Sequence, residues 1–120
     1  MPTTRETGAL AETLAIECLE KKGLVILDKN WHYGHLELDI VARDGKELVI
    51  VEVKSRSGIR YDHPLEAVTK VKIKRIVEAA DAYILQKDID LDTRFDVITV
   101  IFFKPGHELE HYKDAFYPTL

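Results

Sequence analysis

Two apolar strands joined by an Asp-Gly turn constrain this chain more than any other stretch. The first reads Leu36-Glu37-Leu38-Asp39-Ile40-Val41, the second Leu48-Val49-Ile50-Val51-Glu52-Val53-Lys54. Between them lies Arg43-Asp44-Gly45-Lys46, and an Asp-Gly pair flanked by apolar runs is a strong hairpin signal. Strand side chains alternate between faces, so Glu37 and Asp39 fall together on one face of the first strand. On the second, Glu52 and Lys54 share a face with Leu48 and Ile50, while Val49, Val51 and Val53 take the other. A turn centred on Asp44-Gly45 pairs Arg43 with Lys46, Asp39 with Ile50 and Glu37 with Glu52. Asp39 is then diagonal to Glu52, and all four polar side chains share one face. A loop one residue longer or shorter would separate them.

Three carboxylates so placed repel, and they raise one another's pKa unless a cation joins them. A divalent metal with oxygen ligands would do so, and Lys54 adds a further positive charge. The competing reading of the same pattern is a solvated sheet face carrying ordinary salt bridges.

At 120 residues the chain is expected to form a single domain over 1–120 with a proper core. Its 46% apolar and 32% charged residues are ordinary for a globular protein. No apolar run approaches the ~18 residues of a membrane span, which argues against a membrane partner. The start, Met1-Pro2-Thr3-Thr4-Arg5-Glu6, has no apolar leader core. Cys18 is the sole cysteine, which excludes an internal disulfide and a cysteine zinc cluster and fits a reducing cytoplasm.

The net charge of -4 argues against a generally basic, nucleic-acid-coating protein. Its distribution is uneven. Residues 1–52 carry six basic and ten acidic side chains, and residues 76–120 carry four and nine. Between them, residues 53–75 hold seven basic side chains (Lys54, Arg56, Arg60, Lys70, Lys72, Lys74, Arg75) against Asp62 and Glu66, a net of +5. A solvated charge run is the usual meaning of such a block. Its place directly after the carboxylate hairpin also suits a phosphate-facing surface.

Helical spacing predicts a first helix from about Gly8 to Lys22, stopped at Gly23. Leu10, Ala11, Leu14, Ala15, Ile16, Cys18 and Leu19 form its apolar arc, with Cys18 read as a small core hydrophobe. Glu12 falls inside that arc, where a carboxylate needs a partner. That partner is either a basic side chain or a site shared with the hairpin. Leu24-Val25-Ile26-Leu27 begins a strand that runs irregularly through Asn30, Trp31 and Tyr33. Ser55 to Pro64 reads as a polar loop of the kind that often carries function. A second helix spans about Lys70 to Gln86 with Thr69 as N-cap, and Lys72 projects from its apolar arc while Lys70 and Lys74 face solvent. One lysine snorkelling over a core edge is ordinary, but two inward charges on two helices beside the hairpin suit a shared site better. A long strand from Phe95 to Phe103 carries Arg94 and Asp96 as a structural pair, and a short last strand covers Leu109 to Tyr112. The fold expected is α/β, an αβββαβ core with one mixed central sheet flanked by helices and a terminal strand.

His107-Glu108-Leu109-Glu110-His111 matches the zinc-protease pattern, whose chemistry needs both histidines on one helix face. In a strand they would lie roughly 13 Å apart at ~3.3 Å per residue, too far to share an ion. The match is read as coincidence.

Asp39, then Glu52-x-Lys54 on the next strand, then a basic helix, with Glu12 on a leading helix, resembles the PD-(D/E)xK nuclease core of restriction enzymes and archaeal Holliday-junction resolvases. More closely, the chain is similar to the YraN-like family of small bacterial proteins. The resemblance runs through Gly8-Ala9-Leu10-Ala11-Glu12, Asn30, Glu37-Leu38-Asp39-Ile40-Val41-Ala42 and Val51-Glu52-Val53-Lys54-Ser55-Arg56. It continues through Glu66-Ala67-Val68 with Lys72, Arg94-Phe95-Asp96-Val97 and Asp114-Ala115-Phe116. It departs from the usual pattern at Leu36, where the family has glycine, in a less basic stretch before it, and in lacking a proline before Asp39.

The resemblance implies a restriction-endonuclease-like fold in which Glu12, Asp39 and Glu52 match the acidic metal positions and Lys54 the catalytic lysine. Asp39 and Glu52, with the Val53 carbonyl, would then hold Mg²⁺ or Mn²⁺ against a scissile phosphate. Lys54 would orient or help deprotonate an attacking water and stabilise the charge that develops on phosphorus. Arg56, Lys70, Lys72, Lys74 and Arg75 would grip flanking phosphates without reading sequence. The expectation is a nuclease for branched or structured DNA; a binding module without turnover and an acidic protein-interaction domain are the alternatives. Resolvase resemblance also suggests a homodimer.

Overall fold

In the computed structural model, residues 4–57 and 68–118 are described. The elements run α1 (Thr4–Lys21), β1 (Val25–Tyr33), β2 (Leu36–Asp44), β3 (Glu47–Ser57), α2 (Lys70–Lys87), β4 (Asp92–Phe102) and β5 (His107–Tyr112). One five-stranded sheet has the order β1-β2-β3-β4-β5. β3 and β4 are parallel and the other pairs antiparallel, so the sheet is mixed. This is the expected αβββαβ order with its terminal strand.

The helices take opposite faces because β3 is apolar on both. Ala11, Ala15 and Leu19 of α1 pack on Ile40, Ala42, Val49, Val51, Ile98 and Val100. Ile76, Ala79, Ala80 and Tyr83 of α2 pack on Val41, Leu48, Ile50, Phe95 and Val97. Leu10, expected in the first core, is 50% exposed, since the buried stripe of α1 begins at Ala11. Gly23 adopts φ +89°, the left-handed stop that lets the Leu24 N–H reach the Leu19 carbonyl at 3.0 Å. Thr69 caps α2 by accepting from the Lys72 N–H at 3.2 Å. The residue pattern predicts a strand ending at Lys54, but β3 continues to Ser57, because β4 pairs with it through Ser57 and Phe102. Arg60, Asp62, His63, Pro64 and Glu66 lie outside the described residues.

The hairpin register differs from the expected one. Asp44 pairs with Glu47 and Val41 with Ile50, so the central turn residues are Gly45 and Lys46. Gly45 takes φ +61°, and glycine suits the first position of a two-residue hairpin loop. Two carboxylates facing one another at the last rung would repel. Arg94 of β4 resolves this: its Nη1 lies 3.1 Å from Asp44 Oδ2 and 3.0 Å from Glu47 Oε1. A tertiary cation therefore fixes the turn. The slip is two residues, an even number, so the slip by itself moves no side chain to the other face.

Arg94 also makes the expected pair with Asp96, through Nε at 3.0 Å and Nη2 at 3.1 Å. Asp96 is fully buried and bonded further to His111 Nε2 at 2.7 Å and to the Asp114 N–H at 3.1 Å. Burial alone would push this carboxyl up, but the His111, Arg94 and Asp114 bonds together hold it below its ordinary value. The zinc-protease look-alike is thus a strand, with His111 committed to Asp96 on one nitrogen and 2.9 Å from Lys22 Nζ on the other.

Candidate active site

The site forms where β2 and β3 part. Their ladder runs only from Asp44–Glu47 to Ile40–Val51, although β2 begins at Leu36 and β3 continues to Ser57. Beyond that rung β2 stays with β1 and β3 stays with β4. Side-chain alternation along β2 breaks at the same place: Leu38 and Val41 both pack toward α2, while Ile40 packs toward α1. Opposite Asp39 in the β1–β2 register lies Asn30, at φ +49°. The fork leaves the Val53 N–H without a β2 carbonyl, and Asp39 Oδ2 accepts it at 2.9 Å. In an extended strand a residue's N–H and C=O face the same edge, so the Val53 carbonyl is directed at the fork as well.

Carrying the observed register one step further sets Glu52 opposite Asp39 rather than diagonal to it. Glu52 is only 4% exposed. Its Oε1 lies 3.9 Å from Lys54 Nζ and 3.7 Å from Lys72 Nζ. Lys72 therefore does turn inward from α2, and α2 and β3 supply one cation each. Burial, and then the neighbouring Asp39, push the Glu52 carboxyl up to about 8, against the pull of the two lysines. Asp39 is also raised, chiefly by burial, though the Val53 N–H and Lys72 oppose the shift.

Glu12 comes from α1, on the other side of the sheet, and reaches the fork at its open end. Burial raises its pKa first, then Asp39 and Glu37, while Lys29 and a hydrogen bond with Asn30 act the other way. Its Oε1 is buried without a hydrogen-bond partner. Glu37 stands apart from buried Glu52 and half-buried Asp39 and Glu12; it is exposed, with Oε2 3.8 Å from His32 Nδ1. The basic residues divide. Arg56 is exposed at the end of β3, Arg75 lines a small cavity with Lys72, Lys74 points to solvent, and Lys70 lines a separate groove beside Phe116 and Tyr117. Nothing in the residue pattern gives Asn30 or the Val53 N–H a role. Which backbone groups a fork leaves open depends on where pairing stops, and residue pattern does not encode that.

The donor set suits a hard, oxygen-seeking ion. Among the described residues no three His, Cys, Asp or Glu side chains are grouped closely enough to enclose a metal. Mg²⁺ rarely needs such a cage, since it binds one or two carboxylates and keeps waters and substrate phosphates. Asp39 and Glu52 with the Val53 carbonyl meet that description, and the orphaned Glu12 oxygen adds a further acceptor at the edge.

The metal-free site costs stability, with a definite sign. Between the ordinary value of 4.5 and about 8 the folded protein keeps a proton on Glu52 that the unfolded chain releases. Stability contributed by that proton is complete below the lower value and is lost as pH rises toward the upper one. Glu52→Gln in EDTA is expected to melt several degrees above wild type at pH 8 and to converge with it near pH 4.5. A gap of the same size at both pH values would contradict this account.

A family model described as "Uncharacterised protein family UPF0102" matches residues 11–100, which include Glu12, Asp39, Glu52, Lys54 and Lys72. A UPF0102 protein of Bacteroides thetaiotaomicron is 49% identical over 120 residues, covering 100% of this chain and 99% of the relative. One from Bacteroides fragilis is 50% identical over 113 residues, or 94% and 93% of the two chains. Another, from Flavobacterium psychrophilum, is 41% identical over 117 residues and 98% of each chain. With a family model over most of its length and relatives this similar along more than nine-tenths of theirs, the chain belongs to the UPF0102 family, the YraN-like group.

Proposed function

We propose that this protein is a metal-dependent nuclease that hydrolyses phosphodiester bonds in structured or branched DNA at the β2–β3 fork. One observation carries the reading: Asp39 and the buried Glu52 are brought together at the fork, with Lys54 and Lys72 both against Glu52. Groups held with strongly perturbed pKa values beside specific charge partners are the usual mark of a working site.

Asp39, Glu52 and the Val53 carbonyl would hold Mg²⁺ or Mn²⁺, with Glu12 as an outer carboxylate. A bound ion there supplies Lewis-acid polarisation of a phosphoryl oxygen and a more acidic water. Lys54 would orient the attacking water and offset the charge that builds on the phosphoryl oxygens. Glu52 fixes Lys54, and Val53 fixes Asp39, so both groups are positioned before substrate arrives. Lys72 and Arg56 would neutralise flanking phosphates, a contribution without sequence content.

Titration calorimetry tests the metal half of this reading. Mn²⁺ or Mg²⁺ is expected to bind wild type and to bind at least tenfold more weakly to Asp39→Ala or Glu52→Ala, with His107→Ala unchanged. Tight zinc binding lost in His107→Ala would contradict it. DNA binding is expected to weaken with salt, and Arg56→Ala and Lys72→Ala should each reduce the slope by about one unit. Salt-dependent binding without turnover would favour a binding module instead.

A further inference from the structure

A cavity of about 120 Å³ opens beside the fork, between the β1–β2 turn and α2. Among the described residues it is lined by His35, Leu36, Glu37, Lys72, Arg75 and Ile76. Ile76 is buried and Leu36 packs on the same core, so a ligand would meet the four polar side chains. Lys72 and Arg75 are three residues apart on α2 and therefore neighbours on one helix face. Two adjacent cations repel one another. Arg75 is exposed and, among the described residues, has no hydrogen-bond or ion-pair partner. Glu37 is the one carboxylate on the wall, and its Oε2 faces His32 Nδ1 at 3.8 Å. The cavity is well below the ~300 Å³ at which pockets for small organic ligands begin. Its size and its two positive charges select a compact anion.

We infer that this cavity is a phosphate-binding pocket, formed by Lys72 and Arg75 with His35 as a third donor, which takes a phosphate group next to the scissile one. The planar fork of Arg75 can engage two phosphate oxygens at once, and Lys72 acts as a point charge. Lys72 Nζ is also 3.7 Å from Glu52 Oε1, so one side chain borders both the pocket and the hydrolytic site. A strand anchored in the pocket is thereby held at a fixed offset from the fork. That offset rests on the nuclease reading; the capture of phosphate does not. A terminal phosphomonoester and an internal diester present the same oxygens, and the pocket accepts either by this chemistry.

The test is an amide NMR titration of the metal-free protein with inorganic phosphate, repeated with short single-stranded DNA bearing or lacking a 5′-phosphate. Phosphate is expected to shift the amides around Gly34–Glu37 and Lys72–Arg75. Arg75→Ala should weaken it at least fivefold, His35→Ala less, and Arg75→Lys should restore part of the loss. These side chains are exposed, so the variants should fold like wild type. Tighter binding of the 5′-phosphorylated strand would assign the pocket to a chain end, and equal binding in which Arg75→Ala still weakens both strands would assign it to an internal phosphate. Absence of shifts at these amides, or undiminished phosphate affinity in Arg75→Ala, overturns the pocket. The two readings fail separately. Phosphate capture without metal binding at Asp39 and Glu52 removes the nuclease and leaves the pocket, whereas Mn²⁺-dependent cleavage with normal phosphate affinity in Arg75→Ala removes the pocket alone.

Discussion

Lys54→Ala is expected to lose about 10²–10⁴-fold in turnover while keeping DNA affinity within a few-fold of wild type. The asymmetry follows from what Lys54 touches. Its ammonium sits 3.9 Å from Glu52 Oε1, at the proposed reacting centre, and in the nuclease reading it is only one of several cations that would meet DNA. Losing one phosphate contact shifts binding modestly, whereas losing a group that positions water, the role proposed for Lys54, removes an interaction needed at the transition state. Asp39→Asn and Glu52→Gln should be at least as damaging to turnover, and Glu52→Gln should combine inactivity with a gain in stability at pH 8. Such a trade is the signature of a residue kept for chemistry rather than for folding. Single-turnover rates and equilibrium binding measured on the same preparations would settle the pattern; equal losses in both would point to a binding role for Lys54.

Arg94 carries the largest expected effect on stability. It is 6% exposed and joins three carboxylates, those of Asp44, Glu47 and Asp96. Removing it leaves buried Asp96 without its guanidinium partner, held only by His111 and the Asp114 N–H, and sets Asp44 against Glu47 at the end of the hairpin. Arg94→Ala is expected to cost about 3–5 kcal/mol, the usual loss when one partner of a buried pair is deleted. Replacing Arg94 and Asp96 together by apolar residues should cost less than the sum of the single losses, because the stranded charge is removed as well. Urea melts of the two single variants and the double variant check this, and strict additivity would contradict it. Asp96 sets the acid limit of the same network. Its lowered pKa means that its stabilisation is present above the ordinary value of 3.8 and is lost as pH falls through the folded value.

The elements of the fold are legible in the residues because their signals are local. Thr69 ahead of Lys72, Gly23 after α1, and the double apolar face of β3 each act within a few positions. The inward placement of Lys72 is also readable, as a charge breaking a helical apolar arc. The turn register is not, since it depends on Arg94, some fifty residues further on, bridging Asp44 and Glu47. The same holds for the role of Asn30 and for the open Val53 N–H, which arise because β2 turns away from β3. The position of Glu12 inside the apolar arc of α1 fits a basic partner as well as a shared site, and only the fold reveals that it reaches the fork from the opposite face of the sheet. Of the basic block, Lys72 and Arg75 line the cavity beside the fork, while Lys70 belongs to another groove. A net charge over 53–75 cannot make that distinction.

The claim that the Asp39–Glu52 fork hydrolyses phosphodiester bonds is tested most directly by Mn²⁺-dependent cleavage of four labelled DNAs: a four-way junction, a flap, a duplex and a single strand. Wild type and Asp39→Asn, purified in parallel, should be compared in Mn²⁺ and in EDTA. The account predicts cleavage of at least one branched or structured substrate by wild type in Mn²⁺, none in EDTA, and a loss of at least about 10²-fold in Asp39→Asn. No cleavage of any substrate by wild type, or equal cleavage by Asp39→Asn, would contradict it.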